Sequence, residues 1–227
     1  MSNNRGILPV NKASGCSSFH LVSLLRKRTQ IKTIGHAGTL DPFATGVMVL
    51  FIDRAFTKLS GQLLGADKQY RGIIELGKET DTYDRDGTIV AQSDLVPSRE
   101  NLERALERFQ GEILQVPPMF SAKKIGGKRC YELARKGITV ERAAVRVKLS
   151  TILIRYEYPL VELDISCSKG TYIRSLAHDL GKELGCGGIL TELTRVRVGP
   201  FHLRDCVDQQ SLLDSSFDLT PYLRIAL

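Results

Sequence analysis

No apolar run in this sequence is long enough to cross a bilayer, so no membrane-spanning helix is expected. The polar start Met1-Ser2-Asn3-Asn4-Arg5 is not that of a signal peptide. The cysteines, Cys16, Cys130, Cys167, Cys186 and Cys206, lie singly with no Cys-x-x-Cys pair, which argues against both a zinc site and a disulfide framework. Reduced thiols in a cytoplasmic protein are the simplest reading. There is no internal repeat and no low-complexity segment. The acids of Thr80-Asp81-Thr82-Tyr83-Asp84-Arg85-Asp86-Gly87 resemble a calcium loop only superficially. The closing glutamate is missing, so no metal is expected.

What is present suffices for a sizeable core without disulfides: 227 residues, 42% of them hydrophobic. That length allows one large domain, or one with a small appendage. The formal charge is +7 and is unevenly spread. Between Ser121 and Lys148 stand Lys123, Lys124, Lys128, Arg129, Arg135, Lys136, Arg142, Arg146 and Lys148, opposed only by Glu132 and Glu141. With 32 basic and 25 acidic residues in all, this segment carries the whole excess and the remainder balances. Such a local field suits a polyanion such as nucleic acid, although a merely solvated face has the same look.

Helical periodicity predicts a helix from Ser17 or Ser18 to about Arg28, another capped by Ser98 and ended at Gly111, and a third from Thr171 to Gly185. A short helix is expected over Arg54 to Leu64, and another over Tyr131 to Lys136, reached through a flexible Gly126-Gly127. Strands are expected over Ile7–Val10, Val47–Ile52, Lys68–Leu76, Thr88–Val90, Ala144–Arg155, Val161–Cys167 and Thr194–Val198. After Phe201 a short helix and an extended tail are expected. Strands that do not alternate regularly with helices favour an α+β domain with a mixed or antiparallel central sheet.

The stretch Gly35-His36-Ala37-Gly38-Thr39-Leu40-Asp41-Pro42-Phe43-Ala44-Thr45-Gly46 draws the most attention. Its glycines permit tight turns, and Pro42 pushes Asp41 towards an extended backbone. One carboxylate thus stands on a stiff, close-turning loop, as a reactive group or as an ordinary cap. Arg174 falls in the first turn of a predicted helix, where a cation opposes the helix dipole and calls for an anionic partner.

This loop closely resembles the defining motif of the TruB family of tRNA pseudouridine synthases. Agreement continues in order through Lys68-Gln69-Tyr70, Gly77, Thr80-Asp81-Thr82, Val116-Pro117-Pro118-Met119-Phe120-Ser121-Ala122 and Cys167-Ser168-Lys169-Gly170-Thr171-Tyr172-Ile173-Arg174. The resemblance implies a pseudouridine synthase fold with flanking helices and an RNA-binding insertion. It implies isomerisation of the T-loop uridine at tRNA position 55, with no cofactor and no metal. The expected partner is the T-arm of tRNA, and a monomer is expected. Asp41 would be the catalytic carboxylate, with Tyr70 stacking on the base and Arg174 pairing with Asp41. His36 would hold the loop with its target base turned out. Lys12, Gly38, Thr39, Lys169 and Tyr172 are expected at the substrate, and Lys123, Lys124, Lys128 and Arg129 on its phosphates. Attack on the base, attack on the sugar and a glycal route are all compatible with these residues.

The early motif departs from the family's Asp-Lys-Pro, reading Asn11-Lys12-Ala13. The expected organisation is a catalytic domain over 1–205, with the basic insertion at about 118–145, and a tail over 206–227 holding no full C-terminal PUA-like domain. A non-catalytic tRNA-folding protein and a glycoside hydrolase are the alternatives. The second lacks an evident partner carboxylate for Asp41.

Overall fold

The computed structural model describes residues 4–227, so Met1–Asn3 of the polar start lie outside the described residues. In chain order come β1 (Gly6–Lys12), α1 (Ser18–Thr29), β2 (Ile34–His36), β3 (Thr45–Ile52), α2 (Arg54–Thr57) and α3 (Ser60–Leu64). Next are β4 (Lys68–Leu76), β5 (Lys78–Thr80), β6 (Ile89–Gln92), α4 (Arg99–Glu107) and β7 (Gly111–Gln115). The hairpin β8 (Lys124–Ile125) and β9 (Lys128–Arg129) leads into α5 (Cys130–Ala134). Then follow β10 (Val145–Glu157), β11 (Leu160–Cys167), α6 (Ile173–Leu184), β12 (Gly188–Val198), β13 (Phe201–His202) and β14 (Val207–Asp208). The chain forms two compact units, one reaching to Tyr70 and resuming over Leu193–Leu227, the other Arg71–Glu192. The boundaries fall inside β4 and β12.

In the first unit β3 is the central strand. It runs antiparallel to β1 and β2 and parallel to the end of β12, while β14 joins β1 in parallel. Val47 to Ile52 are all fully buried, which explains their continuous apolar run in place of a polar–apolar alternation. Val47, Val49 and Phe51 pack with Ile7, Ala37, Leu63, Val198 and Phe201. Helix α1 buries Leu21, Val22 and Leu25, and its first turn is capped by Ser17, which accepts from the His20 amide. The single helix expected over 54–64 is two short ones, because Phe56, Leu59 and Leu63 must all reach this core.

The residues after Phe201 are not a free extended tail. Val207, Leu212 and Leu219 are buried, and the Arg224 amide donates to the Ile7 carbonyl at 2.9 Å. Arg28, in the basic end of α1, donates to the carbonyls of Leu212 (3.0 Å) and Phe217. Its charge suits the helix C-terminus, which closes on the left-handed Gln30, and its donors hold the tail.

In the second unit β10 and β11 form a long antiparallel hairpin with β7 on the outer side of β10. β7 was not expected. Gly111, read as a helix stop, instead opens this strand, and α4 ends earlier, at Glu107. Helices α4 and α6 pack on each other, and α6 closes on the left-handed Gly185 as predicted. Gly126 and Gly127, at φ +57° and +80°, form the two-residue turn between β8 and β9. What looked like a flexible entry to the basic segment is a tight hairpin, whose twist requires positive φ at both turn positions. All five cysteines are free thiols, and among the described residues no helix is long and apolar enough to cross a membrane.

Candidate active site

The loop between β2 and β3 is held at several points through its backbone. The Ala37 amide donates to the Val49 carbonyl at 3.0 Å, and the Ala44 amide to the Asp41 carbonyl at 3.1 Å. Ser18, at the start of α1, accepts from the Leu40 amide at 2.9 Å and donates to the Leu40 carbonyl at 3.1 Å. On the far side the Gly15 amide donates to Pro42 and the Ser14 hydroxyl to Phe43. Asp41 itself is half-buried in the middle of this frame.

Two buried cations complete the frame. Lys12 is fully buried, and its ammonium donates to the carbonyls of Ala13 (2.9 Å), Cys16 (2.9 Å) and Pro42 (3.1 Å). A lysine with three donors has none to spare for an RNA phosphate. Lys12, expected at the substrate, stands as a support under Pro42. Burial pushes its pKa down, partly offset by the nearby Cys16 and Asp41. The second cation is Arg195, in β12. It was read only as part of a strand, and the structure places it against the carbonyls of Gly38, Thr39 and Val47.

His36 ends β2 just before the loop. Its pKa is pushed down, first by burial and then by the Arg195 charge. Its Nδ1 has no hydrogen-bond partner among the described residues. A histidine whose folded pKa lies below its ordinary 6.5 takes up a proton more readily in the unfolded chain. Stability therefore rises with pH through the window between the two values and falls on acidification. Urea midpoints at pH 7.5 and 5.5 should differ more in the native protein than in His36→Gln, and equal drops would refute this. Tyr70, in β4 and also in the first unit, is buried at 8% exposure.

In the second unit Arg174 lies in the first turn of α6 and is 6% exposed. It donates to the carbonyls of Phe120 (2.8 Å) and Thr82 (3.2 Å), and lies 3.4 Å from the Asp84 carboxylate. The helix position called for an anion, and Asp84 is one. Asp84 also accepts from the Thr82 hydroxyl at 2.6 Å and the Asp86 amide at 3.1 Å. The loop with a calcium-like look is thus folded around a carboxylate turned towards an arginine, and no group of metal-binding side chains occurs among the described residues. Asp84 was not singled out from the sequence, although Arg174 pointed to such a partner. Asp84→Asn removes the charge from a pair whose side chains are 8% and 7% exposed, and should cost about 3 kcal/mol, read as a shifted denaturant midpoint. A change under about 1 kcal/mol would show the pair to be as weak as a surface one.

The segment from Val116 to Ser121 docks on the same helix, with the Val116 carbonyl accepting from Ser175 and the Phe120 carbonyl from Arg174. Gln115 bonds both the amide and the carbonyl of Tyr172, fixing the start of α6. Of the expected RNA contacts in this unit, Lys124, Lys128, Arg129 and Lys169 are exposed. Lys123 is tied to the Ala143 carbonyl at 3.2 Å, and Arg129 to the Tyr131 hydroxyl at 2.8 Å. Gly38 and Thr39, in the first unit, face Arg195 with their carbonyls.

The fold is shared with solved structures. A chain of a Cbf5-Nop10-Gar1 complex superposes with a TM-score of 0.72 and 27% identity, covering 92% of this chain and 54% of that one. A second, from an archaeal box H/ACA sRNP Nop10-Cbf5 complex, gives 0.69 at 24% identity, covering 96% of this chain and 57% of that one. The α+β arrangement, with its mixed sheet, is that of the pseudouridine synthases. The model of the TruB family pseudouridylate synthase N-terminal domain matches residues 26–173, and that of the tRNA pseudouridylate synthase B C-terminal domain matches 174–224. A tRNA pseudouridine synthase B of Chlamydia abortus is 53% identical over 96% of this chain and 93% of its own length. One of Francisella tularensis subsp. novicida is 44% identical over 95% of this chain and 72% of its own. The chain belongs to the TruB family and is a pseudouridine synthase acting on tRNA uridine.

Proposed function

We propose that this enzyme isomerises the T-loop uridine of tRNA and that Asp41 is the carboxylate that does so. The observation that carries this reading is the frame itself: a single half-buried aspartate on a loop whose flanking carbonyls are held by Ser18, Lys12 and Arg195. Such a loop holds a reacting group in place before the substrate arrives, which is where much of an enzyme's advantage lies. The isomerisation breaks the bond from the sugar C1′ to N1, rotates the uracil, and forms a bond from C1′ to C5. The C5 proton leaves and N1 gains one, so nothing is oxidised and no cofactor is consumed. A carboxylate bonded to the sugar, or facing its developing positive charge, lowers the barrier to the first cleavage.

Tyr70 is proposed to stack on the base and to assist removal of the C5 proton. Arg174 is proposed to pair with Asp41. His36 is proposed to help hold the RNA with its uridine turned out of the loop, since a stacked base does not reach a protein side chain. The exposed Lys124, Lys128, Arg129 and Lys169 supply charge for tRNA phosphates, a sequence-independent grip that weakens with salt. The enzyme is proposed to work as a monomer in the cytoplasm. Incubation with full-length tRNA and with an isolated T-arm hairpin, followed by mapping of pseudouridine, tests the reading. Modification of the T-loop uridine in both RNAs is expected, and modification elsewhere in the tRNA would overturn it.

A further inference from the structure

Arg195 is 1% exposed, the largest of the fully buried side chains. Its Nε donates to the Val47 carbonyl at 2.8 Å, Nη2 to the Gly38 carbonyl at 3.2 Å and Nη1 to the Thr39 carbonyl at 3.4 Å. Nη2 also lies 3.2 Å from the Met48 sulfur. None of these partners is a carboxylate. A buried guanidinium spent on neutral carbonyls is costly to desolvate, so its retention asks for a reason other than ion pairing. The carbonyls share one property: Gly38 and Thr39 lie on the entry to the Asp41 loop, and Val47 lies just past its exit. One rigid, planar fork therefore fastens both ends of the loop to β12.

We infer that Arg195 is a positioning residue for the reaction: it sets the place of Asp41 by clamping the loop on both sides of it. The inference rests on the reading of Asp41 as the catalytic carboxylate. The lysine ammonium is a point donor and cannot span the same carbonyls, so charge alone does not replace the clamp. Arg195 also gives the loop a standing positive field. Its charge is one of the causes holding the pKa of both Lys12 and His36 down, burial being the larger in each.

The test compares Arg195→Lys, Arg195→Met and Asp41→Asn with the native enzyme. Single-turnover pseudouridine formation, the Kd for tRNA, thermal unfolding and the NMR titration of His36 are read for each. A displacement on the order of 1 Å at a reacting group costs about 10²-fold, so Arg195→Lys should lose about that much in rate, with the tRNA Kd within about threefold. Arg195→Met should lose more, and its His36 should titrate higher. Both Arg195 variants turning over within about threefold of native, while Asp41→Asn is inactive, would overturn this inference alone. An active Asp41→Asn would overturn the reading on which it rests, and this inference with it. A rate that falls only in proportion to the folded fraction, in Lys and Met variants alike, also overturns it.

Discussion

Asp41→Asn should bind tRNA within a few-fold of the native enzyme and form pseudouridine at least about 10⁴-fold more slowly, the scale seen when a covalent or charge-stabilising group is removed. The substitution keeps the shape of the side chain and removes its charge. It leaves the backbone bonds of the loop untouched, since these run through the Asp41 and Pro42 carbonyls and the Ala44 amide. On the proposed reading, affinity is carried mainly by charge on exposed lysines and arginines, which this substitution leaves unchanged. The expected result is therefore a large loss of rate with little loss of binding, which distinguishes catalysis from a folding-only role. Single-turnover conversion of a T-arm substrate and filter binding of the same RNA measure the two quantities. A turnover within about tenfold of native would remove Asp41 from the chemistry. A parallel fall in binding would instead mean that the carboxylate shapes the loop.

Much of the frame was legible because it is local. Helices α1, α4 and α6 follow from apolar spacing and cap residues, and β3 from six successive apolar side chains. The aspartate loop was legible from its glycines, its proline and its likeness to a family. What could not be read is decided by residues far apart in sequence. Arg195 reaches the Val47 and Gly38 carbonyls across 148 and 157 positions, and Arg174 reaches Thr82 across 92. No periodicity marks an arginine in a strand as buried, because alternation places it on the same face as Arg197. Strand β7 was hidden by its short length and by Gly111, which suits a helix stop as well as a strand start. The packing of residues 206–227 depends on β1 and α1 accepting them, and neither is a neighbour in sequence. Lys12 illustrates the same limit in the other direction, since its identity matched the family and its burial was invisible.

Gly46→Ala should be among the most damaging single changes in the first unit, at about 4 kcal/mol or more, the range reserved for core disruption and special backbone positions. Two separate causes add. Gly46 has φ +102°, where a side chain costs on the order of 1–3 kcal/mol. A Cβ there would also lie 2.3 Å from the Arg195 carbonyl oxygen, 2.7 Å from its nitrogen and 2.9 Å from its carbon. Those atoms are backbone, so they yield only if β12 moves away from β3 at the Arg195–Gly46 pairing. Gly15 separates the causes, because it has φ +84° with nothing within 4 Å of an added Cβ. Gly15→Ala should therefore cost only the backbone strain, about 1 kcal/mol. For a domain of this size each kcal/mol lowers Tm by about 2–4 °C, so the two variants should melt roughly 6–12 °C apart. Melting within about 2 °C of each other would show that the strands part freely and that φ alone demands the glycine. In the folded fraction of Gly46→Ala the damage should extend to rate, because the strand that must retreat is the one whose Arg195 side chain clamps Gly38 and Thr39. Gly46 thus serves β12 before it serves any RNA: the missing side chain is what lets the clamp close on the loop that carries Asp41.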